Sequence, residues 1–82
     1  MGVRGTQQDV LMTISAIQKD SSLEQVEDNQ IAEMIGLDLN TTQISLDALE
    51  ARGYINLEKI DRLSGLGYLA SLTLAGEAAL PT

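Results

Sequence analysis

Gly36 and Gly53 each close a stretch of helical periodicity, and only residues 37–52 separate them. An interval that short holds one helix of about three turns and a tight turn before it, so two short helices must follow one another almost without a linker. The first reads from about Asp28 to Ile35, with Ile31, Met34 and Ile35 turned inward and Gly36 at the left-handed position past its end. The second is capped by Asp38 or Asn40. Asn40 with Gln43 three residues on has the form of a capping box, Leu46 and Leu49 supply the inward stripe, and Arg52-Gly53 ends it.

An earlier helix runs from Thr6 to about Lys19. Val10, Ile14 and Ile17 fall at i, i+4, i+7 with Leu11 widening the stripe, Thr6 is the expected N-cap, and Asp9 lies in the first turn. Asp20-Ser21-Ser22 breaks that pattern, and Leu23 to Val26 forms a link with room for a small strand. Beyond Gly53, Tyr54–Leu63 and Tyr68–Leu74 read as two strands joined by Ser64-Gly65-Leu66-Gly67. On the second of these, Tyr68, Ala70, Leu72 and Leu74 share one face. Ala75-Gly76 leads into a short helical tail ending at Pro81.

Composition narrows the function. The chain has 82 residues, 44% of them apolar, which suits one small domain rather than a disordered acidic tail. It has no cysteine and no histidine, which removes thiol catalysis, cysteine zinc sites, the commonest metal ligand and the usual general base near neutral pH. An enzyme is not expected, nor is a metal or other cofactor. No apolar run approaches the roughly 18 residues that span a bilayer, and Met1-Gly2-Val3-Arg4 does not begin a signal peptide, so a cytoplasmic location is expected. The net charge of −7 lies in residues 1–50, where nine acids face Arg4 and Lys19, whereas the bases and acids of residues 51–82 cancel.

Two short helices around a tight turn, then a strand pair, are the parts of a helix-turn-helix with a wing. The local sequence sharpens this. Ile31-Ala32-Glu33-Met34-Ile35-Gly36-Leu37-Asp38 is similar to the "IAexlGLs" segment of winged-helix regulators, and Leu46-Asp47-Ala48-Leu49-Glu50-Ala51-Arg52-Gly53-Tyr54-Ile55 to their "LxxLExrGyI" segment. Leu72-Thr73-Leu74-Ala75-Gly76-Glu77-Ala78-Ala79-Leu80 is similar to their "LTxxGxxAL" exit from the wing. Together these resemble the MarR-like branch of the winged-helix superfamily. The resemblance covers Asp28 to Leu80, about two-thirds of the chain. It implies an α+β fold: a small winged helix-turn-helix of three helices, a two-stranded hairpin wing and a short C-terminal helix. The whole chain is then one domain, with the helix-turn-helix at about 28–53 and the wing at about 54–74.

The resemblance also implies a DNA-binding domain of a transcriptional regulator, with the third helix in the major groove. Its outward residues Asn40, Thr41 and Gln43 are the candidate base readers, the alternative for each being capping and turn chemistry. Arg52, Lys59 and Arg62 are the candidate phosphate contacts, and three such contacts give a salt slope of about −2.7, doubled in a dimer. Members of the family commonly carry arginine or lysine at the positions of Ile44, Asp47 and Ala48, and this chain does not. The alternative function is therefore an acidic winged helix that binds a protein, with Ile44, Asp47, Leu63 and Leu66 as its contact surface. MarR-like regulators usually dimerise through extra terminal helices. Since this chain stops at Thr82, the expectation is a domain of a longer protein and a possible homodimer.

Three further patterns carry little. Asp38-Leu39-Asn40-Thr41-Thr42 starts like a calcium loop but has Gln43 for the required glycine and Leu49 for the bidentate glutamate. Asn40-Thr41-Thr42 is a formal glycosylation sequon with no secretion signal beside it. Gly2-Val3-Arg4-Gly5 follows no strand and is no phosphate loop.

Overall fold

Helix α1 (Gly5–Ser21) buries the expected stripe, since Val10, Leu11, Ile14 and Ile17 are all inside. A computed structural model describes residues 5–22 and 24–80. Arg4 and the Gly2-Val3-Arg4 stretch, Leu23 of the link, and Pro81 lie outside the described residues. Thr6, expected to cap α1, is inside it, because the helix already includes Gly5. After α1 come β1 (Val26–Glu27), α2 (Asp28–Ile35), α3 (Leu39–Ala51), β2 (Ile55–Arg62), β3 (Gly65–Leu72) and α4 (Leu74–Ala79).

Helices α1, α2 and α3 pack on one another, and α1 also lies against β3. The core joins the α1 stripe to Val26, Ile31, Leu46, Leu49, Ile55, Tyr68 and Ala70. Each large aliphatic side chain fully removed from water there contributes about 1.5–3 kcal/mol. Met34 is 61% exposed rather than inward, because the buried stripe of α2 runs through Ile31 and Ala32 and leaves Met34 on its flank. Gly36 and Gly53 both take left-handed backbone, with φ of +82° and +78°. Asp38 is the N-cap of α3: its carboxylate accepts from the Thr41 N–H at 3.0 Å and from the Thr41 hydroxyl at 2.6 Å. The Asn40–Gln43 capping box does not form, since Asn40 is already inside the helix and the Gln43 side chain is used elsewhere.

The sheet has three antiparallel strands in the order β1-β3-β2: the expected two-stranded wing, and a small strand at Val26–Glu27, at the end of the link that had room for one. The added strand is short: Val26 pairs with Ala70 and Glu27 with Leu69. In the wing, Arg62 pairs with Gly65, so the connection is Leu63-Ser64 alone, and Leu66 and Gly67 belong to β3 rather than to the turn. Strand β3 ends at Leu72. Leu74 begins α4 and is 84% exposed instead of continuing the buried face.

The exit from the wing explains the Leu-Thr-x-x-Gly spelling. The Thr73 hydroxyl donates to the Gly53 carbonyl at 2.6 Å and accepts the Gly76 N–H at 3.0 Å, capping α4 while tying it to the end of α3. A Cβ at residue 76 would overlap the Tyr54 carbonyl, so only glycine allows that approach.

Candidate nucleic-acid interface

Strand β3 has one edge against β2, and its other edge meets β1 only at Leu69 and Ala70. Backbone groups buried without a partner cost about 1–3 kcal/mol each, so the rest of that edge needs donors and acceptors from elsewhere. Side chains supply them. The Leu72 N–H donates to Gln18 Oε1 at 3.1 Å, the Tyr68 N–H to Asp28 Oδ2 at 3.0 Å, and the Leu66 carbonyl accepts from Gln43 Nε2 at 2.9 Å. Three helices thus continue the ladder that β1 starts, and the last two contacts hold the wing beside α2 and α3.

Asp28 is the centre of this arrangement. It is wholly buried, and besides the Tyr68 N–H it accepts from Gln43 Nε2 at 2.8 Å and from the Asn29 N–H at 2.7 Å. Its Oδ1 lies 2.6 Å from Arg62 Nη2, and the same nitrogen is 3.0 Å from Glu27 Oε1. Burial by itself pushes the Asp28 carboxyl up. The Arg62 guanidinium, the Gln43 amide and the two backbone N–H groups together outweigh it and hold the group below the ordinary carboxylate range. Arg62, bonded to Asp28, keeps its proton more firmly than a free arginine. To reach Asp28, Arg62 crosses over β3 at Gly67, where any Cβ would overlap the guanidinium.

The expected site residues separate into two groups. Gln43 and Arg62 are both drawn into the Asp28 cluster, and the Arg62 side chain is 16% exposed. Asp47 accepts from the Tyr68 hydroxyl at 3.1 Å, which ties α3 to the wing a second time. Burial first, then the Asp47 carboxylate, raises the Tyr68 phenol above its ordinary value and keeps it protonated. Thr41 is turned onto Asp38 by both its N–H and its hydroxyl. Asn40 and Arg52 are exposed. Lys59 is also exposed, with its Nζ 5.8 Å from the centre of the Tyr68 ring, within cation–π range. Ile44 is 60% exposed on α3, Leu66 is 47% exposed on β3, and Leu63 stands fully out at the wing tip.

Asp28, Gly67 and Tyr68 were not singled out for the site by sequence. An aspartate in the first turn of a helix reads as dipole chemistry, and nothing local shows that a strand edge runs past it. Gly67 did carry a signal. A glycine inside a strand marks a close approach, but next to Gly65 it reads equally as part of the Ser64–Gly67 turn. Among the described residues, no group of three acids is placed to hold a metal ion, and no helix is long and apolar enough to cross a membrane.

This architecture is found in solved proteins. A mutant of MarR from E. coli, complexed with operator DNA, superposes with a TM-score of 0.69 over 94% of this chain at 22% identity. The chain has the winged-helix fold of the MarR-like regulators. The PcaV transcriptional regulator from Streptomyces coelicolor, solved with its natural ligand, superposes on this winged helix with a TM-score of 0.65 over 95% of the chain at 24% identity. The winged-helix chain spans 50% of each of those two chains. No protein-family model and no curated protein matches the sequence.

Proposed function

We propose that this chain is the DNA-docking domain of a transcriptional regulator, with α3 in the major groove and the wing along the flanking backbone, and that it is not an enzyme. The observation that carries this reading is the likeness over 94% of the chain to a MarR mutant bound to operator DNA. In this reading Asn40 and Thr41 sit at the leading end of α3, where base edges and phosphates are met. Arg52 and Lys59, both exposed, meet phosphates. Arg62 serves by holding the wing in place. Two phosphate contacts per domain correspond to a salt slope of about −1.8. The acidic surface opposes association, so useful affinity requires two domains acting together in a homodimer working in the cytoplasm.

The test is an amide chemical-shift titration of the labelled protein with a mixed-sequence duplex at about 50 mM and about 200 mM salt, a range over which phosphate contacts weaken steeply. Shifts gathered at residues 40–47, at Arg52 and along the wing, shrinking at the higher salt, are the expected result. A spectrum unmoved by millimolar DNA at low salt overturns the reading and turns α3 and the wing tip, with Ile44, Leu63 and Leu66, into the surface to probe with proteins.

A further inference from the structure

Gln43 is half-buried between α2, α3 and the wing, and its amide nitrogen makes two hydrogen bonds, to Asp28 Oδ2 at 2.8 Å and to the Leu66 carbonyl at 2.9 Å. Both partners are pure acceptors, because Asp28 is held as a carboxylate by Arg62 and a backbone carbonyl has no proton. The amide therefore has one chemically permitted orientation, and the usual ambiguity between its oxygen and nitrogen is absent. An NH2 group has two protons, and both are taken. What remains is Oε1, which makes no hydrogen bond with any described residue and is not fully buried. Its acceptor lone pairs are the amide's one unused hydrogen-bonding capacity.

A free glutamine reads adenine by two bonds, accepting from N6 and donating to N7. Gln43 cannot donate without giving up its bond to Asp28 or to Leu66. Resting on the proposed DNA reading, we infer that Gln43 is a base-selecting residue that acts through Oε1 alone, accepting one hydrogen bond from an exocyclic amine in the major groove. Adenine N6 and cytosine N4 offer that donor. Guanine, with N7 and O6, and thymine, with O4, offer acceptors in the same groove and leave Oε1 facing a lone pair. At one operator position the contacted strand carries adenine or cytosine with little choice between them, and guanine and thymine are rejected. Asp28 acts at one remove as the positioning residue that fixes this polarity.

The experiment is selection from random duplexes with the full chain and with Gln43→Met, a neutral replacement of similar length at a half-buried position. Competition between duplexes differing at the selected base pair follows. The wild-type protein is expected to enrich sites with adenine or cytosine at one position, preferred over guanine or thymine on the order of tenfold, and Gln43→Met is expected to lose that preference while keeping the rest of the site. An unchanged profile in Gln43→Met, or a wild-type preference for guanine or thymine at the position that the variant loses, overturns the inference and leaves DNA binding standing. Enrichment of no sequence by the wild-type protein overturns the DNA reading and this inference with it. A second measurement needs no DNA. The two Gln43 side-chain amide protons are expected to be separately resolved and slow to exchange with solvent, and rapid exchange of both overturns the locked orientation.

Discussion

The two edges of the sheet are treated in opposite ways. Along the far edge of β3, strand pairing and then Gln18, Asp28 and Gln43 meet one backbone group after another, so that edge is fixed to the helices. Strand β2 pairs with β3 alone and carries the exposed polar residues Asn56, Glu58 and Lys59, side chains that discourage a further strand from adding. Two cations on β2 follow the same division. Arg62 is spent on Asp28, while Lys59, three residues earlier, keeps its charge at the surface above Tyr68. A basic residue in a wing is therefore not by itself a phosphate contact. Its role depends on whether a carboxylate waits within reach on the next element.

The contrast breaks most completely at Asp28. Replacing it with asparagine leaves Arg62 without its buried counter-charge and puts an amide against the Tyr68 N–H and Gln43. The expected loss is about 3–5 kcal/mol in urea unfolding, a large part of the 5–15 kcal/mol typical of small domains. Gly67→Ala should cost less, about 1–3 kcal/mol, because the new methyl group displaces a side-chain tip rather than backbone. Its distinguishing mark is that the damage is confined to the Arg62–Asp28 contact, so the wing amides around Leu66 and Tyr68 should shift while those of α1 stay put.

Acid provides a milder lever. The Asp28 carboxyl is held below its unfolded value of about 3.9, so the stability it contributes is fully present above that pH and is lost as pH falls through the folded-state value. Acid unfolding followed by circular dichroism should therefore show a limb below about pH 4 in the wild-type protein that is reduced in Asp28→Asn. The smallest effect on stability is expected at Lys59. Lys59→Gln should change unfolding by no more than about 0.5–1 kcal/mol, the range of an exposed cation–π contact, and under the proposed DNA-docking function it should lower the salt slope of binding by about 0.9. Arg62→Gln should do the reverse, weakening the fold and leaving the slope unchanged.

Much of the fold was legible because it rests on local rules. The α1 stripe, the bounds of α2 and the left-handed glycines all follow from periodicity, backbone sterics and capping over a few residues, whereas the Thr73 cap of α4 falls inside the strand expected over Tyr68–Leu74. The wing was legible in outline but not in register, because its two glycines, Gly65 and Gly67, look equally suited to a turn and only Gly65 follows it directly. The site was the least legible. Gln43 and Arg62 are the residue types that read bases and phosphates, and also those that satisfy a buried carboxylate. Sequence could not separate these uses, because Asp28 lies 15 residues from Gln43 and 34 from Arg62, and only the folded chain brings the three together.

The most direct test of the Asp28–Arg62 tie between wing and helices is a double-mutant cycle in urea with Asp28→Asn, Arg62→Met and the two combined. If the tie holds the wing, each single change is costly, and the pair costs less than the sum by at least about 2 kcal/mol, since the second change removes a charge the first left unpaired. Costs that add to within about 0.5 kcal/mol would show two independent side chains and contradict the account.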